Sequence, residues 1–280
     1  MLNVSILIPT YNRLALLTKC LDELFNTPLD KNDEVIIWNN NSTDGTKEFL
    51  DKIYDRYYNG ICRVVIINHI ANIGLSAVNR GFNLMSNFYR MKIDDDIIKI
   101  PFFFKEKLIE VFDKIPNAGY IAAALENDKE KLPQQFFKEY ENEEIYKRVE
   151  INGIKLRLGN ASGGFVMTTK EVLDKVGGFV EMPIEYNWFN EDSDYSHKVR
   201  GINYISGFRE DLKVYHAFGP VWNKPYEKDY ISKFCAWLNQ PGIRGRTEFE
   251  KDELLKNISV SDIDIRKKIL DKFKENNAKR

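Results

Sequence analysis

Three consecutive carboxylates, Asp94, Asp95 and Asp96, directly follow a short apolar run of the sequence. Each adjacent like-charge pair costs about 1 kcal/mol in water and about 4 kcal/mol near a protein wall, so something must offset the repulsion. On an extended chain, Asp94 and Asp96 point the same way and Asp95 points the other way. This spacing suits Mn²⁺ or Mg²⁺, because one or two carboxylates can hold the ion while phosphate oxygens and water complete its coordination. The alternative is a solvated acidic turn.

A second acidic group, Glu191, Asp192 and Asp194, lies at a predicted helix start, where carboxylates interact favourably with the helix dipole. The preceding segment, EYNWFN, is aromatic, and aromatic walls would raise the pKa of a carboxylate enough to make it a useful general base. The alternative is a set of helix-start acids that face solvent.

His216 ends a strand-like run and is one of three histidines in the chain. It is either a buried core residue with satisfied hydrogen bonds or a third metal ligand beside the aspartate cluster.

The elements that position these groups alternate in type over the first 125 residues, which predicts βαβ units on a largely parallel sheet. We predict strands over residues 3–9, 33–39, 63–69, 90–94 and 119–125. In such sheets, ligands bind at the carboxyl ends of the strands. Apolar residues at helical spacing predict three helix faces between the strands. The faces are Leu14, Leu17, Leu21 and Leu24; Phe49, Leu50, Ile53, Tyr54 and Tyr57; and Leu75, Val78, Phe82 and Met85.

The second half of the chain is less regular. Residues 127–150 are charged and predict an exposed insertion, while residues 159–169 predict a strand in which glycines allow close backbone approach. We place one domain at 1–222, with halves at 1–125 and 126–222, and a helical extension at 223–280. This extension either packs on the domain or forms an oligomer contact or a peripheral membrane contact.

The segment NNNSTDGT, residues 39–46, is either a helix cap or a nucleotide-recognition loop. No G-x-G-x-x-G or Walker pattern occurs, which argues against a dinucleotide-binding enzyme or a P-loop NTPase.

Composition narrows the class of protein further. The net charge of −1, with both signs interspersed, argues against nucleic acid as a partner. The cysteines at 20, 62 and 235 lack metal-ligand spacing, which indicates reduced core thiols. No basic leader and no apolar stretch of membrane-spanning length are present, so we predict a cytoplasmic protein, with peripheral membrane attachment left open.

Together, and in this order, these motifs resemble glycosyltransferases of family 2 with the GT-A fold, over roughly residues 3–220. The segments are VSILIPTYNR, EVIIWNNNSTDGT, NIGLS, KIDDD, GGFVMTTKEVLDKVGGF and NEDSDYSHKVRG. The resemblance implies an α/β fold with a doubly wound, mostly parallel sheet flanked by helices.

The same resemblance implies residue roles. Asp192 would be the general base, oriented by Glu191, and Asp96 with His216 would hold Mn²⁺ or Mg²⁺. Asn39 would contact the nucleobase, at a position where the family usually has aspartate. The predicted donor-binding residues are Pro9, Thr10, Tyr11, Arg13, Asn39, Asn41, Asn72, Arg80, Asp94 and Asp95.

The implied activity is metal-dependent, inverting transfer of a sugar from a UDP- or dTDP-sugar to an acceptor hydroxyl. The acceptor would be a glycan, a lipid-linked sugar or a protein, with surface polysaccharide synthesis as the expected context. Two alternatives stay open. One is an inactive sugar-binding scaffold of the same fold. The other is a sugar nucleotidyltransferase, which would need a glycine-rich basic loop that PTYNRLALL does not provide.

Overall fold

The computed structural model describes residues 3–53, 61–126, 146–181 and 191–217. Within these ranges the chain forms a mixed sheet of ten strands with helices on both faces. The strands are β1 (Val4–Thr10), β2 (Glu34–Asn39), β3 (Arg63–Asn68), β4 (Tyr89–Ile93), β5 (Ile97–Lys99), β6 (Ala118–Leu125), β7 (Lys147–Ile151), β8 (Ile154–Leu158), β9 (Phe165–Thr169) and β10 (Ile205–His216).

The described helices cover the sheet from both sides. They are α1 (Leu14–Phe25), α2 (Thr46–Asp51), α3 (Ser76–Leu84), α4 (Phe104–Lys114), α5 (Lys170–Val176) and α6 (Glu191–Gly201). Side chains of α1, α2 and α4 enter one apolar core cluster, and those of α3, α5 and α6 enter a second cluster on the opposite face. Strand β1 shows the reason, since Ile6 and Ile8 face the first cluster while Leu7 faces the second.

The strand order is β3-β2-β1-β4-β9-β6-β10-β8-β7, with β5 pairing β10. Strands β1 to β4 pair in parallel, which confirms the doubly wound α/β sheet expected from the sequence. Strand β9 runs antiparallel between β4 and β6. The start of β9 therefore lies beside the end of β4, which is where the three aspartates follow.

Two of the three predicted helix faces are buried largely as expected. Leu17, Leu21 and Leu24 have no exposed surface, and Leu75, Val78, Phe82 and Met85 are all buried. In the remaining predicted face, Leu50 and Ile53 are buried, while Tyr54 and Tyr57 lie outside the described residues.

The prediction of an irregular insertion up to residue 150 is wrong at its end, because Lys147–Ile151 forms β7. A two-residue turn at Asn152 and Gly153, with φ of 50° and 78°, joins β7 to β8 in a hairpin. Asn-Gly is the usual sequence of such turns because both residues tolerate positive φ, so the signal was present in the sequence. The predicted strand at 159–169 is also shorter, since β9 begins at Phe165 and residues 159–164 form a loop.

The two described cysteines, Cys20 and Cys62, are buried free thiols, as predicted, and Cys235 lies outside the described residues. Burial raises the pKa of both thiols, that of Cys62 to about 12. None of the helices in the described ranges is long and apolar enough to cross a membrane. The predicted extension at 223–280 lies outside those ranges.

We predict that Gly207→Ala destabilises the fold by about 1–3 kcal/mol, because overpacking a fitted core costs that much. Gly207 pairs with Leu158 across β10 and β8, and a Cβ atom there would lie 2.2 Å from the Arg157 carbonyl oxygen. The matched control is Gly201→Ala at the end of α6, where a Cβ meets nothing within 4 Å. Urea denaturation of both variants measures the difference, and equal stabilities would contradict this account of the β10–β8 contact.

Candidate active site

The acidic segment after β4 is a tight turn. The Asp94 N–H donates to the carbonyl oxygen of Gly164 at 2.8 Å, and the Ile97 N–H donates to the Asp94 carbonyl oxygen at 3.1 Å. The assumption of an extended chain was therefore wrong for residues 94–96. The predicted orientation nevertheless holds, because the Asp94 and Asp96 carboxylates lie near His216 while Asp95 faces β1.

The side chains of Asp94, Asp96 and His216 form a group that could hold a metal ion, with ligand atoms within 4.8 Å of one another. His216 Nε2 lies 3.3 Å from Asp96 Oδ1 and 4.0 Å from Asp94 Oδ2. Gly164 leaves room beside them, since a Cβ there would lie 3.1 Å from His216 Cδ2 and 3.3 Å from Asp94 Oδ2. The sheet brings them together, because β10 ends beside the turn and Ala217 N–H donates to the Asp96 carbonyl oxygen at 2.8 Å.

The chemistry of this group fits a divalent cation. Asp96 Oδ1 is buried and has no hydrogen-bond partner among the described residues, which is costly for a carboxylate oxygen unless a ligand occupies the position. Burial lowers the pKa of His216, although Asp96 and Asp94 oppose the shift, so the imidazole keeps a lone pair for a metal. Two carboxylate oxygens and an imidazole nitrogen could serve as ligands of a divalent cation.

Asp95 ties the acidic turn to β1 and α1. Its Oδ2 accepts a hydrogen bond from Thr10 Oγ1 at 2.7 Å, and its Oδ1 lies 3.3 Å from Arg13 Nη1. Arg13 Nη1 also donates to Asp96 Oδ2 at 2.8 Å. Burial raises the pKa of Asp95 to about 7, with Arg13 opposing the shift. Thr10 and Arg13 therefore lie at the site, and the Asp95 carboxylate holds the aspartate turn against them.

The second acidic group lies across the Gly163–Gly164 loop from the first. Asp192 is in the first turn of α6, and a Cβ at Gly163 would lie only 2.0 Å from Asp192 Oδ1. That oxygen is enclosed and has no hydrogen-bond partner among the described residues. The prediction that glycines here permit close backbone approach is thus confirmed at both positions.

The two neighbouring carboxyl groups of α6 both have raised pKa values. Burial raises the pKa of Asp192 to about 6, against the opposing positive charge of Lys92. Burial also raises the pKa of Glu191, to about 8, and the charge of Asp192 adds to this shift. Burial therefore favours the neutral form of both carboxyl groups, and because the two groups are adjacent they titrate together and not independently. The aromatic segment expected to enclose them, residues 185–190, lies outside the described residues.

Lys92 is a functional candidate that the sequence reasoning missed. It lies in β4 with 2% of its surface exposed, and its Nζ donates to Asp94 Oδ1 and, at 2.9 Å, to the Gly163 carbonyl oxygen. Burial lowers the pKa of Lys92, but the carboxylates of Asp94 and Asp192 raise it by more, so that the pKa lies above its usual value, at about 12. A lysine between the apolar residues Met91 and Ile93, two residues before an acidic cluster, was the available signal.

Asparagine side chains join the carboxyl ends of β2 and β3 and the loops that follow them. Asn39 Oδ1 accepts from the Ser42 N–H and its Nδ2 donates to Asn68 Oδ1, each at 2.9 Å. Asn72 Oδ1 accepts from Asn40 Nδ2 at 2.7 Å. These bonds hold the predicted nucleotide-recognition loop in one conformation.

The remaining predicted residues are more scattered. Pro9 is buried in β1, and Tyr11 just beyond β1 is 45% exposed. Asn41 is exposed, with φ of 66°. Arg80 is exposed on α3, whereas its neighbour Asn79 binds the Phe179 backbone and so has a structural role. The roles of Pro9, Tyr11, Asn41 and Arg80 stay predictions.

The mixed sheet, with an acidic turn after β4 and a second carboxylate group facing it, is the GT-A glycosyltransferase fold. The model of the glycosyl transferase family 2 matches residues 5–177, more than half of the chain, and the chain belongs to this family.

Two curated relatives match shorter stretches. The poly(ribitol-phosphate) beta-glucosyltransferase of Bacillus spizizenii is 32% identical over 98 residues, covering 34% of this chain and 15% of that protein. Glycosyltransferase GlyA of Streptococcus pneumoniae is 34% identical over 94 residues, covering 33% of this chain and 13% of that protein. The matched stretches thus span less than a sixth of either relative.

Two solved structures align with the chain and share its fold over the residues that the structure describes. The mannosyltransferase PcManGT of Pyrobaculum calidifontis, in complex with GDP-Man and Mn²⁺, aligns with a TM-score of 0.63 and 15% identity, covering 98% of this chain and 74% of that one. TarS 1–349 of S. aureus, in complex with UDP-GlcNAc, aligns with a TM-score of 0.55 and 17% identity, covering 91% and 71%. At these identities the likeness establishes the fold.

We predict that Asp96→Asn weakens Mn²⁺ binding at least about tenfold, because the substitution removes a carboxylate from the metal group. Free Mn²⁺ is measured by electron paramagnetic resonance during titration of the protein. Asp95→Asn is the matched control, since Asp95 faces Thr10 and Arg13 and an amide can still accept the Thr10 hydrogen bond. Equal loss of affinity in both variants would contradict the assignment of the metal group to Asp96.

Proposed function

We propose that this chain transfers a sugar from a nucleoside diphosphate sugar to an acceptor hydroxyl, with inversion at the anomeric carbon. The observation that carries the proposal is the position of Asp192 directly across the Gly163–Gly164 loop from Asp94, Asp96 and His216. Asp192 is suited to activate the attacking oxygen of the acceptor, and the Asp94, Asp96 and His216 group is suited to stabilise the charged leaving group. A single displacement between them requires no covalent intermediate.

The chain's own residues account for the acceptor half of the reaction. The ionised Asp192 accepts the proton of the acceptor hydroxyl as the new oxygen–carbon bond forms at the anomeric carbon. The bond from that carbon to the diphosphate oxygen breaks, and its electron pair leaves with the nucleoside diphosphate. Glu191, the adjacent residue in the first turn of α6, would orient Asp192.

On the donor side, the leaving diphosphate develops negative charge that must be neutralised. A divalent cation held by Asp96, His216 and Asp94 would supply this neutralisation, with Mn²⁺ or Mg²⁺ as the candidates. Arg13 has 27% of its side chain exposed and carries donors beyond those that bind Asp95 and Asp96. We assign these donors to the phosphates, and Thr10, Asn39 and the loop after β2 to the nucleoside.

The donor that we propose is a UDP- or dTDP-sugar, and the acceptor is a hydroxyl of a surface polysaccharide or glycoconjugate. One structural neighbour was solved with UDP-GlcNAc, which supports a uridine nucleotide, and a curated relative is a glucosyltransferase by name. Another neighbour was solved with GDP-Man, so nucleotides of both kinds have to be compared. The competing function is an inactive scaffold that binds the nucleotide sugar without transferring the sugar. Binding would need the Asp94, Asp96 and His216 group, whereas transfer would also need Asp192, so the two functions can be tested separately.

We predict that UDP or dTDP raises the melting temperature of the protein by several degrees in the presence of Mn²⁺, and that this shift disappears in Asp96→Ala. The reason is that a ligand that binds only the folded state stabilises it by mass action. UDP, GDP, dTDP and CDP are compared, each with and without Mn²⁺. A shift with GDP or CDP alone would overturn the donor assignment, and no shift with any nucleotide would overturn the function.

We predict that Asp192→Asn lowers the transfer or donor-hydrolysis rate at least about 10²-fold, because general base catalysis contributes roughly 10²–10⁴-fold. Nucleotide-dependent stabilisation should be unchanged. In the unmodified protein, kcat/KM should fall below about pH 6, since Asp192, whose burial raises its pKa to about 6, must be ionised to accept a proton.

The matched control is Ser193→Ala, the adjacent half-buried residue of α6, which should retain full activity. An active Asp192→Asn variant would remove this residue from the role of base. Loss of transfer together with loss of nucleotide binding would instead indicate a structural role.

A further inference from the structure

Lys92 is unusual because its charged side chain has only 2% of its surface exposed. The residues on either side of it in β4, Met91 and Ile93, are apolar. A buried ammonium is stable only where hydrogen bonds and opposite charges replace the water it has lost. Here they come from opposite sides of the site. The Asp94 carboxylate belongs to the acidic turn, and the Gly163 carbonyl belongs to the loop before β9.

Two adjacent carbonyl groups of this loop accept hydrogen bonds from the β4 side. Gly163 accepts from Lys92 Nζ at 2.9 Å, and Gly164 accepts from the Asp94 N–H at 2.8 Å. The pairing of β4 with β9 sets the register, with Lys92 opposite Val166 and Ile93 opposite Phe165. The loop thus contacts the aspartate turn through one backbone hydrogen bond, from Asp94, and contacts β4 through one side-chain hydrogen bond, from Lys92.

The two glycines of the loop separate the two functional groups. Gly163 packs against Asp192, and Gly164 packs against His216 and Asp94, so that a Cβ at either would meet those side chains at 2.0–3.4 Å. A shift of this loop would therefore change the separation between the base and the metal group. Lys92 also interacts electrostatically with the carboxyl groups of Asp94, Asp192 and Glu191.

We propose that Lys92 is a positioning residue whose ammonium ties the Gly163–Gly164 loop to Asp94 and so fixes the separation between Asp192 and the Asp94, Asp96 and His216 group. The catalytic consequence rests on the proposed function. The structural consequence does not, because the tie exists within the chain itself.

The structural arm of the test compares amide hydrogen exchange in the full chain and in Lys92→Met, which keeps an unbranched side chain only one atom shorter and removes the charge. Peptides that cover residues 160–165 and Asp94 should exchange at least about tenfold faster in the variant. The matched control is Lys105→Met, because Lys105 is also buried and ion-paired, to Asp33 at 2.7 Å, but lies away from the site. This control should leave exchange in these peptides unchanged.

The kinetic arm measures release of UDP from UDP-glucose or of GDP from GDP-mannose, whichever the unmodified protein turns over with Mn²⁺. In Lys92→Met, kcat should fall at least about 30-fold while KM for the donor changes less than about threefold. The acid limb of kcat/KM should move to higher pH by about one unit, because loss of a positive charge raises the pKa of the nearby Asp192. Lys105→Met should show neither effect.

The two arms separate the two proposals. If the unmodified protein turns over no donor, the proposed function fails, and the exchange arm still decides the role of Lys92. Unchanged loop exchange and an unmoved acid limb in Lys92→Met would overturn the positioning role. If Lys92→Met does not fold, Lys92→Gln is measured in the same way. Its uncharged amide is one atom shorter than lysine and cannot bridge the Asp94 carboxylate and the Gly163 carbonyl as the ammonium does, so the same two changes are expected.

Discussion

The pairing of β9 with the end of β4 is the constraint on which the rest of the site depends. Strand β9 runs antiparallel to β4, whereas β1 to β4 pair in parallel. The loop that precedes β9 therefore lies beside the aspartate turn, and its Gly164 carbonyl accepts a hydrogen bond from the Asp94 N–H. Because two glycines stand at that point, the backbone of the loop contacts Asp192 on one side and His216 with Asp94 on the other. The proposed base on α6, His216 at the end of β10 and the aspartates of the turn after β4 therefore meet at one backbone segment.

The second constraint is the charge of the site. Five carboxyl groups, those of Asp94, Asp95, Asp96, Glu191 and Asp192, meet two buried or half-buried cations, Lys92 and Arg13. The two cations offset part of the repulsion between these carboxyl groups. Burial offsets another part, because it raises the pKa of Asp95 and Glu191 and so favours their neutral forms. The remaining negative charge is concentrated where a divalent cation or an acceptor proton would be bound.

Several features of the fold were predictable because they depend on local sequence. The strand predicted over residues 3–9 and the helical spacing of Leu75, Val78 and Phe82 both depend on short-range sequence patterns, and both predictions are confirmed. The missed β7–β8 hairpin was also local, since Asn152 and Gly153 carry the signal of a two-residue turn. The segment was read by its charge instead, and charge does not distinguish an exposed hairpin from an irregular loop.

The sequence by itself determined the α/β class, the family, and the two acidic groups with His216 as candidate ligands, because these are properties of residue type and short spacing. Only the tertiary structure decided that Asp95 turns towards Thr10 and Arg13, that the turn is not extended, and that Lys92 joins it to Gly163. These contacts join residues about 70 to 85 positions apart in the chain. Their geometry follows from strand order and register, and a register slip of one residue would move each side chain to the opposite face of the sheet.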